Sequence, residues 1–174
     1  MRPSPSLRNL TVFNTRSRPS FARRLFLLAL LTGASACAST PANPQTFVVR
    51  LKPGQELVHE LRELAKREQL RAASVVSAVG SLTDVALRLA NKEETTRYSG
   101  HFEVVSLSGY LAAGEFHLHM AVSDGDGRTF GGHVMEGNRV YTTLVIAVQE
   151  HTHLVYRREF DPASGYPELV IERR

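Results

Sequence analysis

The chain of 174 residues has one cysteine, Cys37, so no disulfide can form within it. Its apolar run, Leu25-Phe-Leu-Leu-Ala-Leu-Leu31, falls well short of the roughly 20 residues that a membrane-spanning helix needs. No acidic residue occurs in the first 36 positions. There is no Ser-His-Asp signature, no Gly-rich phosphate loop and no nucleotide motif, so nothing in the sequence names a reaction. Beyond the N-terminal segment there is also no internal repeat and no low-complexity stretch.

The acid-free beginning has a character of its own. Arg2, Arg8, Arg16, Arg18, Arg23 and Arg24 precede the apolar run, and the small residues Gly33-Ala-Ser-Ala-Cys37 follow it. A basic region, a short apolar region and a small-residue cleavage site make residues 1–36 a secretory signal peptide. Cys37 stands where a bacterial lipoprotein signal places its lipidated residue, and Ala34-Ser-Ala-Cys37 resembles a lipobox with alanine in place of the usual leucine. That departure keeps ordinary signal-peptidase cleavage, after Ala36 or Ala38, open as the alternative, and with it a soluble exported protein. An uncleaved anchor or a misassigned start is a further alternative. Ala22-Arg-Arg-Leu-Phe-Leu-Leu28 also resembles the twin-arginine export signal, against an ordinary basic region ending in two arginines. Residues 37–45, with Pro41 and Pro44, read as a flexible tether holding a domain off a membrane that faces the periplasm or cell exterior.

Cleavage reverses the charge. The chain has 21 Lys and Arg against 17 Asp and Glu, a net +4, and removal of the six N-terminal arginines leaves 15 against 17, a net −2. A slightly acidic domain without a dense basic run argues against nucleic acid as a partner, because non-specific binding rests on neutralising phosphates. Arg157-Arg158 reads as the exposed face of a strand.

Residues 46–174 suffice for one domain with a modest core. Thr46–Leu51 reads as a strand ended by the turn Lys52-Pro-Gly54. From Gln55 to Leu70, Leu57, Val58, Leu61, Leu64, Ala65 and Leu70 recur mainly at three- and four-residue spacing, the mark of an amphipathic helix. His59 falls among its polar residues and reads as solvated. Ala72–Val79 reads as a buried strand and Gly80-Ser81 as a bend. Further strands are expected at Asp84–Ala90, Glu94–Tyr98, His101–Leu111, Glu115–Ser123, Thr129–Met135, Val140–Val148 and Leu154–Phe160. One helix with many antiparallel strands is an α+β arrangement, whose edge strands invite pairing with another copy.

Within this pattern, His117 and His119 alternate with apolar residues, so both imidazoles project from one face of a strand with Cα atoms roughly 6.5 Å apart. Asp124-Gly-Asp-Gly127 supplies a hairpin turn before Gly131-Gly-His133. A three-residue loop with Gly127 left-handed pairs Asp124 with Arg128, and therefore His119 with His133. A two-residue loop turns His133 to the opposite face unless a bulge at Gly131-Gly132 restores it. Three neutral imidazoles with an open fourth position suit zinc first, and also nickel or iron(II). Asp124 and Asp126 read as turn formers, since no calcium-loop spacing follows. Arg128 and Glu136 lie close enough in sequence to be candidates for substrate binding or proton transfer. A second H-x-H pair, His151 and His153, reads as surface residues of a turn, with a minor extra metal site as the alternative.

Several separated segments resemble the PPC (plant and prokaryote conserved) domain: Leu51-Lys-Pro-Gly-Gln55, Leu70 to Leu82, Phe102 to Gly109, His117-Leu-His119, Ser123 to Gly127, Gly131-Gly-His133, Val140-Tyr-Thr-Thr143 and Arg158 to Gly165. The resemblance implies a mostly antiparallel sheet with one main helix, assembled as a homotrimer. It also implies a divalent-metal site at His117, His119 and His133, the H-x-H and G-G-H signature of prokaryotic members. Plant members join this domain to AT-hooks that bind A/T-rich DNA, but the Arg-Gly-Arg-Pro core of an AT-hook is missing here.

Three functions compete. The first is a metal-dependent activity or ligand site in a lipid-anchored cell-envelope protein, its small molecule unassigned. The second is a non-catalytic envelope binding module in which metal stabilises the assembly. The third is a PPC-type DNA-binding regulator whose apparent signal is an upstream extension.

Overall fold

The computed structural model describes residues 44–112 and 114–174. The expected signal peptide, Cys37 and most of the tether lie outside the described residues. In chain order the elements are β1 (Thr46–Leu51), α1 (Leu57–Arg67), β2 (Ala73–Arg88), β3 (Thr95–Ala112), β4 (Glu115–Ser123), β5 (Thr129–Val134), β6 (Arg139–Glu150), β7 (Leu154–Asp161) and β8 (Tyr166–Arg173). Among the described residues the architecture is α+β, mostly antiparallel sheet with a single helix.

Six strands form one sheet in the order β1-β6-β2-β3-β4-β5, and a further pairing of β5 with β2 closes β2, β3, β4 and β5 into a ring. That closing seam is short, being Leu87 opposite Val134 and Arg88 opposite His133. Strands β7 and β8 form a separate two-stranded ribbon.

The helix buries Leu57, Val58, Leu61, Leu64 and Ala65, and these join Leu82, Val85, Leu87, Leu118, Val122, Leu144 and Ile146 in the main core. Each wholly buried leucine contributes about 2 kcal/mol through removal of apolar surface from water. Glu56 caps the helix by accepting from His59 N at 2.6 Å. Its other carboxylate oxygen accepts from Gly137 N and Asn138 N at 3.0 and 3.1 Å. One side chain thus satisfies the helix start and anchors the β5–β6 connection to it. At the far end, the left-handed Gln69 (φ 53) turns the chain, and Leu70 N donates back to Ala65 O at 2.9 Å.

Several expectations need correction. The bend at Gly80-Ser81 is a register shift inside the continuous strand β2, which merges the segments expected at Ala72–Val79 and Asp84–Ala90. The segments Glu94–Tyr98 and His101–Leu111 likewise merge into β3. Bulges let a long strand bend around a curved sheet without ending, so a glycine there need not be punctuation. The helix is shorter than Gln55–Leu70, since Glu56 is its cap. Strand β8 was not expected. Its Pro167 interrupts a strand-like pattern, yet proline is tolerated on a two-stranded ribbon that leaves each strand with a free edge.

Candidate metal centre

The hairpin between β4 and β5 sets the geometry. Asp124 Oδ1 accepts from both Asp126 N and Arg128 N at 2.9 Å. Asp124 N donates to Arg128 O, and Gly127 N donates to Asp124 O, each at 3.0 Å. Gly127 has φ +81, the left-handed conformation that closes a three-residue loop with a bulge. The three-residue alternative is therefore the one the chain adopts. His119 lies directly opposite His133.

All three imidazoles meet. One ring nitrogen from each of His117, His119 and His133 lies within 4.8 Å of the others. Nε2 of His117 is 3.3 Å from Nε2 of His119. Two nitrogens bonded to a tetrahedral ion at about 2.05 Å stand about 3.3 Å apart, so this pair already has the bite of a zinc site. His133 completes the trio at ring-centroid distances of 4.9 Å from His117 and 5.4 Å from His119.

Neighbouring strands supply the surroundings. Tyr110 of β3 is the cross-strand partner of His117, and its hydroxyl lies 3.3 Å from His117 Nδ1. With Nε2 directed at the other imidazoles, Nδ1–H can donate to the phenol oxygen, the outer partner that fixes tautomer and ring orientation in metal-binding histidines. Gly109, next to Tyr110, permits the close approach of β3 and β4, because a Cβ there would sit 2.0 Å from His117 O. Arg88 of β2 stands opposite His133 across the closing seam. Arg158 of β7 reaches the same place and lines two cavities with His133, of about 560 and 870 Å³.

The surroundings favour the neutral form of His117 and His133. Burial, then the charges of His117 and Arg88, lower His133 to about 4. His117 is also lowered, by burial first and then by Arg158 and His119. Neutral imidazole is the form that binds metal, so the lowering of His117 and His133 suits them to a divalent ion. Burial raises Tyr110 above its ordinary range, which leaves the phenol protonated.

The remaining candidates separate. Glu136 is ion-paired with Arg62 at 3.0 Å and lines the 560 Å³ cavity with His133 and Phe116. Arg128 is exposed and paired with Asp126 at 3.1 Å, at the loop end of the hairpin. It lines neither cavity shared with the histidines. His59 is exposed on the helix. His151 hydrogen-bonds Ser74 Oγ through Nε2 at 3.0 Å, and His153 lies exposed in the turn. Reasoning from the sequence missed Arg88, Tyr110 and Arg158. Arg157 is the exposed member of its pair, bound to Glu172 at 3.1 Å, whereas Arg158 turns inward as strand alternation requires.

The sequence profile of the Plants and Prokaryotes Conserved (PCC) domain matches residues 38–152. This chain belongs to that family. The domain is 43% identical over 129 residues to the bifunctional protein GlmU of Synechococcus sp. (strain JA-3-3Ab), covering 74% of this chain and 21% of that protein. It is 30% identical over 128 residues to the AT-hook motif nuclear-localized protein 13 of Arabidopsis thaliana, covering 67% of this chain and 28% of that protein. The PCC chain thus spans well under half the length of these curated relatives. Among solved structures, a hypothetical protein from Salmonella cholerae-suis shares 46% identity with a TM-score of 0.74, over 75% of this chain and 95% of its own. A metal-containing protein from Archaeoglobus fulgidus has the same fold, at 24% identity and a TM-score of 0.63, over 72% of this chain and 93% of its own. The PCC ribbon β7–β8 lies beyond the matched segment. The Arabidopsis relative is named for its AT-hook motif and nuclear localisation, which partly cuts against the charge argument disfavouring nucleic acid as a partner.

Proposed function

We propose that this PCC-domain protein is an exported, lipid-anchored protein whose working centre is a divalent metal, zinc first, held by His117, His119 and His133. The observation that carries the reading is the convergence of three imidazoles with ligand nitrogens within 4.8 Å. A metal there supplies Lewis acidity at its open position. The chain's own residues orient that centre: Tyr110 holds His117, the β5–β2 seam holds His133, and Arg88 and Arg158 line the cavity that His117 and His133 share. Metal analysis of the purified chain before and after His119→Ala tests it. About one ion per chain, lost in the variant, is the expected result; no histidine-dependent uptake overturns it.

Localisation is tested separately. Cys37→Ser is expected to release the protein from the membrane fraction, and a purely cytosolic wild-type protein overturns export. Homotrimeric assembly is supported by the exposure of Val48, Val76, Val79 and Val105 at 68, 59, 67 and 58%, on strands β1, β2 and β3 of the main sheet. Light scattering tests it, with a monomer as the contrary outcome. In the envelope-module reading metal removal disperses the trimer, whereas in the ligand-site reading the trimer survives it. Resemblance to the AT-hook relative favours a second reading, duplex DNA binding. It requires affinity that falls steeply with salt, and the net −2 of the chain without its basic N-terminal segment offers little basis for that.

A further inference from the structure

The charges around the histidine trio are unevenly partnered. Arg62 has Glu136, Arg128 has Asp126, and Arg157 has Glu172. Among the described residues, Arg88 and Arg158 have no carboxylate within ion-pair distance, although both flank His133 and line the 870 Å³ cavity with His117. Arg158 spends one donor on Pro167 O, while its Nε is buried with no hydrogen-bond partner. A guanidinium offers five donors, and a buried donor left unpaired is costly. Lys92 adds a further cation to the rim, against Glu93 and Glu168.

A metal held by three neutral imidazoles keeps its full double charge. Beside such a metal, two guanidiniums without a carboxylate partner line the recess that His117 and His133 share, with Lys92 set against Glu93 and Glu168. Arginine matches the geometry of carboxylate and phosphate with two parallel hydrogen bonds, and the metal takes an oxygen of the same group. The cavity volume falls in the range of small-molecule sites.

We infer that the centre binds a small oxyanion-bearing molecule, a carboxylate or phosphate, with one oxygen on the metal and the anion held by Arg158 and Arg88. This rests on the metal reading above and specifies its ligand class. Phosphate and carboxylate present the same chemistry to the site, so each is a separate arm of the test.

The experiment is calorimetric titration of the zinc-loaded full chain with inorganic phosphate and, separately, with succinate. Binding of at least one is expected, and the tighter of the two assigns the class. Arg158→Gln and Arg88→Gln should each weaken it roughly tenfold or more, the effect of losing a charged hydrogen-bond partner. Both variants should keep the wild-type zinc content, which also reports that they fold. Arg157→Gln, on the outward face of the same strand, should bind as the wild type does. Removal of zinc should abolish binding. Full zinc content with unchanged affinity in both arginine variants, equal binding by zinc-free protein, or no binding of either anion overturns this inference alone. Absence of histidine-dependent zinc uptake overturns the metal reading, and this inference with it.

Discussion

Asn138 is wholly buried, at 0% exposure, and its side chain joins two parts of the chain that frame the centre. Its Oδ1 accepts from Ala86 N at 2.9 Å. Its Nδ2 donates to Ala86 O at 3.3 Å and also to Met135 O. Met135 follows closely on His133, and Ala86 belongs to β2, so this amide clamps the end of β5 to the strand that brings Arg88. Replacing Asn138 by Ala removes all three hydrogen bonds and takes from Ala86 N the acceptor it has there, while Ala86 O keeps Met135 N at 3.1 Å. At about 1 kcal/mol net for each bond, the loss is about 3 kcal/mol. For a domain of this size that corresponds to a fall in Tm of roughly 10 °C. Urea unfolding followed by circular dichroism measures it, with the midpoint lowered and the slope unchanged. Asn138→Asp provides a sharper contrast. It keeps the acceptor for Ala86 N but faces two carbonyl oxygens with a negative charge, so near neutral pH it should be at least as damaging as Ala. Acidification should restore part of the loss, because a protonated carboxyl can donate again. A stability change below about 1 kcal/mol for Asn138→Ala would refute the clamp.

Further outcomes follow from other contacts. Tyr110→Phe keeps the ring against Tyr156 but loses the hydroxyl that meets His117 Nδ1, and zinc affinity should fall roughly 10- to 100-fold in a competition titration. Gly109→Ala places a Cβ 2.0 Å from His117 O at a backbone φ of +130, so stability should drop by about 2 kcal/mol or more as β3 moves off β4. For metal-free protein, His133 titrates at about 4 in the folded state and near 6.5 unfolded, so the unfolded chain binds the extra proton. Stability contributed by this group is complete above about pH 6.5 and declines as the pH falls toward 4. Urea midpoints at near-neutral pH and at about pH 5 should therefore diverge more for the wild type than for His133→Gln; equal divergence removes His133 as the cause.

The hairpin was the most legible part of the site, because every element of it is local. Alternation placed His117 and His119 on one face, and Asp124-Gly-Asp-Gly127 contained the left-handed position that sets His119 against His133. Arg88 was not legible for the converse reason: its pairing with His133 exists only because β5 returns to β2, and no local pattern announces that closure. Tyr110 was expected on a strand, but its register against His117 passes through the shift between Val104 and Ser106, which strand periodicity alone does not locate. The pair Arg157-Arg158 suggests one exposed face, although neighbours on a strand face opposite ways and Arg158 turns inward. The merged strands share a physical origin with these misses. Glycines in a curved sheet resemble turn residues until the paired strands on either side are known.

The ring closure between β2 and β5 also orders events in time. His117, His119 and His133 sit on a single hairpin, and a hairpin closes in about 1–10 μs. Arg88 joins them only after residues far apart in the chain pair through two residue positions, and Arg158 only after the C-terminal ribbon forms. Long-range closure is the slower process, since loop entropy is lost before contacts repay it. A refolding chain thus assembles its imidazoles before its guanidiniums. If the trio holds a metal as proposed, metal present during folding would meet the hairpin as a staple for the nascent sheet, while the anion of the further inference would be captured only by the finished domain.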